Sequence, residues 1–196
     1  ADCVVGLDIS SNTITPTLGR GILTDQYGEG SNDVLIYSNS VDVYEKPNLE
    51  YGAASMEVTA CRIRIALGSQ PSLHLRVHDN TFIARTDENG VHAAIALRPS
   101  GTSHPDLFDA IFDTNICKAF NNNVLSTLAI TTAAFYAVAC SISDCPSGGF
   151  TFTNNTFESN LFGITLGDVD GYGGTINNVT FRGNTIKRNL VTGYQG

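Results

Sequence analysis

Tryptophan is absent from this 196-residue chain, methionine occurs once, and charged residues make up only 15% of it. The charge present is one-sided: 19 Asp and Glu against 11 Lys and Arg, a formal net charge of −8 at pH 7. No Lys/Arg cluster offsets it, which excludes the basic footprint that nonspecific nucleic-acid binding requires. Long apolar runs are also missing. The nearest, Val124 to Ile142, carries no charge but is broken by Ser126, Thr127, Thr131, Thr132 and Ser141. A spanning helix needs about 20 strongly apolar residues, so this stretch reads as a strand plus an apolar loop or short helix covering a coil, and no membrane span is expected.

Metal-site signatures are lacking too: there is no CxxC and no His/Cys spacing of a zinc site. The five cysteines are odd in number. Cys140 and Cys145 bracket Ser-Ile-Ser-Asp and are candidates for a loop disulfide, whose geometry the sequence leaves open. Cys61 and Cys117 lie near strands, as buried small apolar residues or as a pair, and Cys3 is the odd one out. Disulfide logic then favours an extracellular or cell-surface location. The sequons at Asn154 and Asn178 permit glycosylation in a competent source.

What is present is a recurrence. An alternating apolar strand, then Asn, then a short apolar strand, comes six times: LDISSNTI, VLIYSNSV, LRVHDNTF, AIFDTNIC, FTFTNNTF and VTFRGNTI. The asparagines are Asn12, Asn39, Asn80, Asn115, Asn155 and Asn184, spaced by 27, 41, 35, 40 and 29 residues. Periods of this size mark a solenoid in which each unit is one coil. A third strand follows in most repeats: GILTD (21–25), MEVTA (56–60), AIALR (94–98), LAITT (128–132) and GITLG (163–167). The Asn falls at the bend between two strands, because Asn tolerates left-handed backbone angles. Stacked coils set equivalent residues about 4.8 Å apart, close enough for amides to bond along the stack. The expected inward set is Ile9, Ile14, Leu35, Val77, Phe82, Ile111, Phe152, Phe157, Ile164, Leu166, Phe181 and Ile186.

This pattern, best displayed in FTFTNNTFESNLFGITLGDVDGYGGTINNVTFRGNTIKRN (150–189), resembles the right-handed parallel β-helix of the pectin-lyase-like superfamily. The resemblance covers almost the whole chain, with 120–150 the poorest part. It implies an all-β fold of about six coils, one domain over 1–196, with the Asn in the turn between the second and third sheets. Enzymes of the superfamily act on acidic polysaccharides from the outer face of the first sheet, with calcium-binding carboxylates and an Arg base, or with three Asp. Here the matching outward positions are Ala96, Arg98 and Thr165, poor in carboxylate, and the superfamily's catalytic motifs are missing. A fold alone does not fix an activity.

Three constellations remain. Asp168 and Asp170 in GDVDGYGG suit one calcium ion, an acid/base pair or a solvated turn. No other cofactor is called for. His74, Arg76 and His78 share one side of LHLRVHD, and Arg62 and Arg64 share one side of RIRIAL. Together these form a basic stripe for an acidic glycan, with His78 a base near neutral pH, or else ordinary strand exteriors. The seven tyrosines form no periodic platform for sugar rings, and the irregular repeat lengths argue against a regular ice-binding Thr ladder.

Ala1-Asp2-Cys3 reads as a mature end or as the edge of a longer segment. The pattern begins near residue 4 and runs almost to Gly196, with no amphipathic capping helix. Solenoids normally cap their end coils, so the expected partners are copies of the chain or adjoining coils. The expected function is a non-catalytic extracellular structural or adhesive module, filament-forming or part of a longer fibre. The alternative is a carbohydrate-active protein: a polysaccharide lyase, a glycoside hydrolase or a glycan-binding domain.

Overall fold

In the computed structural model the described residues are 5–17, 20–26, 31–45, 58–66, 72–86, 91–100, 107–121, 131–138, 147–160, 162–167 and 178–188. They form three parallel sheets wound as a β-helix of about six coils. The first sheet holds β1 (Val5–Ser10), β4 (Ser31–Tyr37), β7 (Ser72–His78), β10 (Leu107–Asp113), β13 (Ser147–Thr153) and β16 (Val179–Arg182). The second holds β2 (Thr13–Thr17), β5 (Ser40–Glu45), β8 (Thr81–Thr86), β11 (Ile116–Asn121), β14 (Thr156–Ser159) and β17 (Thr185–Arg188). The third holds β3 (Arg20–Gln26), β6 (Val58–Ala66), β9 (Val91–Ser100), β12 (Thr131–Val138) and β15 (Phe162–Gly167). Of the strands expected at 56–60 and 128–132, residues 58–60 and 131–132 open the longer β6 and β12, and residues 56–57 and 128–130 lie outside the described residues.

Numbered in chain order, the third sheet holds the AIALR and GITLG strands read above as first-sheet strands, so each ladder Asn, expected between the second and third sheets, sits here between a first-sheet and a second-sheet strand; the sharp backbone turn is one residue earlier than expected. Ser11, Ser38, Asp79, Thr114 and Asn154 have φ between 54° and 57°, and Gly183 has φ 66°. That left-handed residue bends the chain from one sheet to the next and turns the following side chain, the Asn, inward. Asn39, Asn80, Asn115 and Asn155 are all buried. Only Gly occupies this conformation without strain from a Cβ, yet five of the six positions carry side chains. At Gly183 a Cβ would stand 2.6 Å from Asn154 Oδ1.

The core fills the space between the sheets. Val77, Phe82, Phe152 and Phe157 are fully buried, and Ile9, Ile14, Ile164 and Leu166 pack on them from partly buried positions. Phe152 stacks on Phe112 at 5.1 Å and meets Phe135 edge-on at 4.9 Å. Leu35 and Ile111 correct the expected inward set. Both pair with Arg76 on the outer side, while Val34, Ile36, Ala110 and Phe112 fill the core. In VLIY and AIFD several adjacent residues are apolar, so local alternation is ambiguous; counting three back from the Asn resolves it. Phe181 and Ile186 continue the core columns of Phe152 and Phe157, but are 48% and 60% exposed.

The third sheet turns a corner that no motif announced. Its pairing passes over Gly21, Ala60, Ala94, Ala134 and Gly163. At three of these positions both the small residue and its successor join the core: Ala60 with Cys61, Ala94 with Ile95, Ala134 with Phe135. Two consecutive inward residues leave room for one large side chain, which is why the first is Gly or Ala. A Cβ on Gly21 would collide with the Val41 side chain.

Candidate functional site

The outer face of the first sheet collects the candidate chemistry. Register stacks Gly6, Asp33, His74, Asp109 and Gly149 in one column. The next column outward is Asp8, Leu35, Arg76, Ile111, Thr151 and Thr180. The third is Ser10, Tyr37, His78, Asp113, Thr153 and Arg182. His74 thus lies between two aspartates of neighbouring coils, and His78 between Tyr37 and Asp113.

Contacts along the stack axis tie these groups together. Arg76 binds the Asp109 carboxylate through Nη2 and donates from Nη1 to the Asp109 carbonyl at 3.1 Å. His74 Nδ1 lies 3.7 Å from the same carboxylate. His78 stacks on Tyr37 with centroids 5.2 Å apart, and its Nδ1 is 2.8 Å from Asp79 Oδ2. Asp113 Oδ1 accepts from Thr153 Oγ1 at 2.5 Å and from Asn154 Nδ2 at 3.3 Å. The Thr153 hydroxyl, with help from Thr114, Asn154 and nearby His78, holds the Asp113 carboxyl below the usual aspartate range against a modest desolvation penalty. Arg76 and His74 therefore meet a carboxylate of the adjacent coil, and His78 meets one of its own. The face is mixed in charge and is not the basic stripe expected from residues 74–78 alone.

Arg62 and Arg64 are on β6, in the third sheet, and do not join His74, Arg76 and His78 in the first. His74, Arg76 and His78 alternate as expected within β7, but β6 and β7 occupy different sides of the coil. Ala96 pairs with Arg62, in the column that continues to Thr165, and is fully buried. Asp168, Asp170, Cys3, Cys140 and Cys145 lie outside the described residues. Among the described residues no three His, Cys, Asp or Glu gather as a metal site, and no helix is long and apolar enough to cross a membrane. Cys61 and Cys117 are free thiols in the core. Burial pushes Cys61 up to about 12 and Cys117 well above the usual thiol range, so neither is a thiolate nucleophile at neutral pH. Asn154 and Asn178, the two sequon asparagines, are both exposed.

The partners that sequence reasoning missed are Asp33, Tyr37, Asp79, Asp109 and Asp113. Their signal was available. Asp33, His74 and Asp109 each stand six residues before a ladder Asn, and Tyr37, His78 and Asp113 each stand two before one.

The ladder itself is continuous. Nδ2 of Asn12, Asn39, Asn80, Asn115 and Asn155 donates to Oδ1 of the Asn in the next coil at 2.9–3.0 Å. Comparison with protein-family models, with curated proteins and with solved structures found no match to this chain.

Proposed function

We propose that this chain is a non-catalytic structural or adhesive module of the cell exterior, built as a β-helix of the pectin-lyase-like type and able to form filaments or to be part of a longer fibre. One observation carries the reading: ion pairs on the coil exteriors run along the stack axis. Arg76 is held by Asp109, and Arg85 by Asp42. Lys118 is held by Glu158 at 3.3 Å. Such pairs join coil to coil, and among the described residues they leave no convergent set around a reacting atom. The superfamily assignment is supported by a left-handed residue before the ladder Asn in every coil, with the Asn buried in the four inner coils.

A second reading is a carbohydrate-active protein, favoured by His78. Asp79 fixes its Nδ1 and Tyr37 fixes its ring plane, which leaves Nε2 as the nitrogen that would meet a substrate. The test is incubation of the native chain with acidic polysaccharides, reading new unsaturated or reducing ends, beside a glycan array. No cleavage is expected. Cleavage that His78→Ala abolishes in a folded protein would replace the structural reading with the enzymatic one.

A further inference from the structure

Every joint between neighbouring coils uses the same hydrogen bonds, and they have a direction. At the joint from Asn80 to Asn115, the Asn80 N–H and Nδ2 donate to Asn115 Oδ1, at 3.1 and 2.9 Å. Asp79 N–H donates to the Asp113 carbonyl at 3.1 Å. In return Ile116 N–H donates to the Asn80 carbonyl and Asn115 Nδ2 to the Val77 carbonyl, each at 2.8 Å.

At the last coil the outgoing half of this set has no partner among the described residues: Asn184 N–H, Gly183 N–H, and the carbonyls of Asn184 and Phe181. At the first coil the incoming half is equally open among them: Asn12 Oδ1 and Thr13 N–H, with the Ser10 carbonyl engaged only by Asn12 Nδ2. The two halves match group for group. The apolar columns match as well. Phe181 and Ile186 are 48% and 60% exposed, and Ile9 and Ile14 stand half-buried in the same columns at the opposite end. Charge agrees: residues 178–188 carry Arg182, Lys187 and Arg188 with no acid, whereas residues 5–17, the matching strands of the first coil, carry Asp8 with no Lys or Arg.

We propose that the face of Phe181, Asn184 and Ile186 docks on the Ile9, Asn12 and Ile14 face of a second copy of this chain, with Asn184 set against Asn12, Phe181 against Ile9 and Ile186 against Ile14. The proposal rests on the structural-module reading and names its partner. The contact is heterologous, so it generates an open stack instead of a closed dimer. Each joint continues the ladder without a break in register, and the buried edges no longer offer unpaired backbone groups to other chains.

Sedimentation of the full chain over a concentration series tests this. The native chain is expected to grow into rods. Phe181→Asp with Ile186→Asp blocks one end at two exposed positions. Thr13→Pro blocks the other, because a ring carbon replaces the outward N–H at the start of an edge strand, where proline is tolerated. Asp8→Lys with Thr15→Lys, both exposed, is a second blocker of that end that leaves the backbone unchanged. Each blocked variant alone should be monomeric with an unchanged circular dichroism spectrum. A mixture of variants blocked at opposite ends should stop at a one-to-one pair. A native chain that stays monomeric throughout, variants that assemble like the native chain, or a mixture that stays monomeric would each overturn the proposal. None of these results concerns polysaccharide cleavage, so the non-catalytic reading stands or falls separately.

Discussion

Asn80 binds Asn115 through two donors at once: its backbone N–H and its Nδ2 converge on the single oxygen Asn115 Oδ1. Asn115 repeats the arrangement on Asn155, at 2.9 and 3.0 Å. A buried backbone N–H needs an acceptor wherever the chain turns too sharply to supply one from a ladder strand. Here the acceptor is always the amide of the next coil. The side chain that satisfies one turn thereby fixes the axial register of the following one.

Asn115→Ala should accordingly destabilise far more than Asn12→Ala. The first leaves the Asn80 N–H buried without an acceptor and the Val77 carbonyl without its donor, at roughly 1–3 kcal/mol for each group. Asn12 is exposed and no described residue depends on its Oδ1, so its loss should cost about 1 kcal/mol or less. Urea unfolding of the two variants gives the comparison. Equal costs would mean that the ladder is a by-product of packing.

The left-handed turn makes a second test. Thr114 is β-branched at φ 54°, where a Cβ costs about 1–2 kcal/mol. Asn154 and Asn178 occupy the same region with the residue type best suited to it after glycine. Thr114→Asn is expected to raise stability by about 0.5–1 kcal/mol. A loss of stability in thermal or urea unfolding would show that the Thr114 side chain contributes more than its strain costs.

Asp113 ties stability to pH on the acid side. Its folded carboxyl is held below the usual range, chiefly by the Thr153 hydroxyl. A depressed folded value means that the contribution is complete above the unfolded value, near 4. It then disappears as pH falls from there through the folded value. Thr153→Val should flatten the dependence of unfolding free energy on pH below about 4 and leave it unchanged near neutrality. An unchanged acid limb would remove Thr153 as the cause.

The coil count and the ladder were legible in the sequence because one residue type, Asn, recurs in phase with short apolar strands. Position along the turn was legible only to within a residue. Both Asn and its predecessor suit a bend, and the left-handed angle falls on Ser11, Ser38, Asp79, Thr114, Asn154 and Gly183. The outer face could not be read strand by strand. His74 and Arg76 look like a basic stripe until Asp109, 33 residues from Arg76, is brought beside them. Counting from the Asn would have paired them. Arg62 looked like a neighbour of that stripe because nothing local states which sheet a strand enters. The corner of the third sheet left the faintest trace, a small residue before a core residue in Gly21-Ile22, Ala60-Cys61, Ala94-Ile95, Ala134-Phe135 and Gly163-Ile164. Gly and Ala are too common for that trace to be noticed without the ladder as a ruler.

If a directional ladder holds the stack and leaves its two ends complementary, amide hydrogen exchange, read residue by residue at low and high protein concentration, tests both halves of the claim at once. In dilute solution the Asn80 and Asn115 amides should exchange as slowly as the core strands, through opening of the whole stack. The Asn184 and Gly183 amides should exchange quickly, because their acceptors belong to the next copy. At high concentration Asn184, Gly183 and Thr13 should become protected together. An Asn184 amide already protected in the dilute chain, or Asn80 and Asn115 amides exchanging as fast as Asn184, would contradict it.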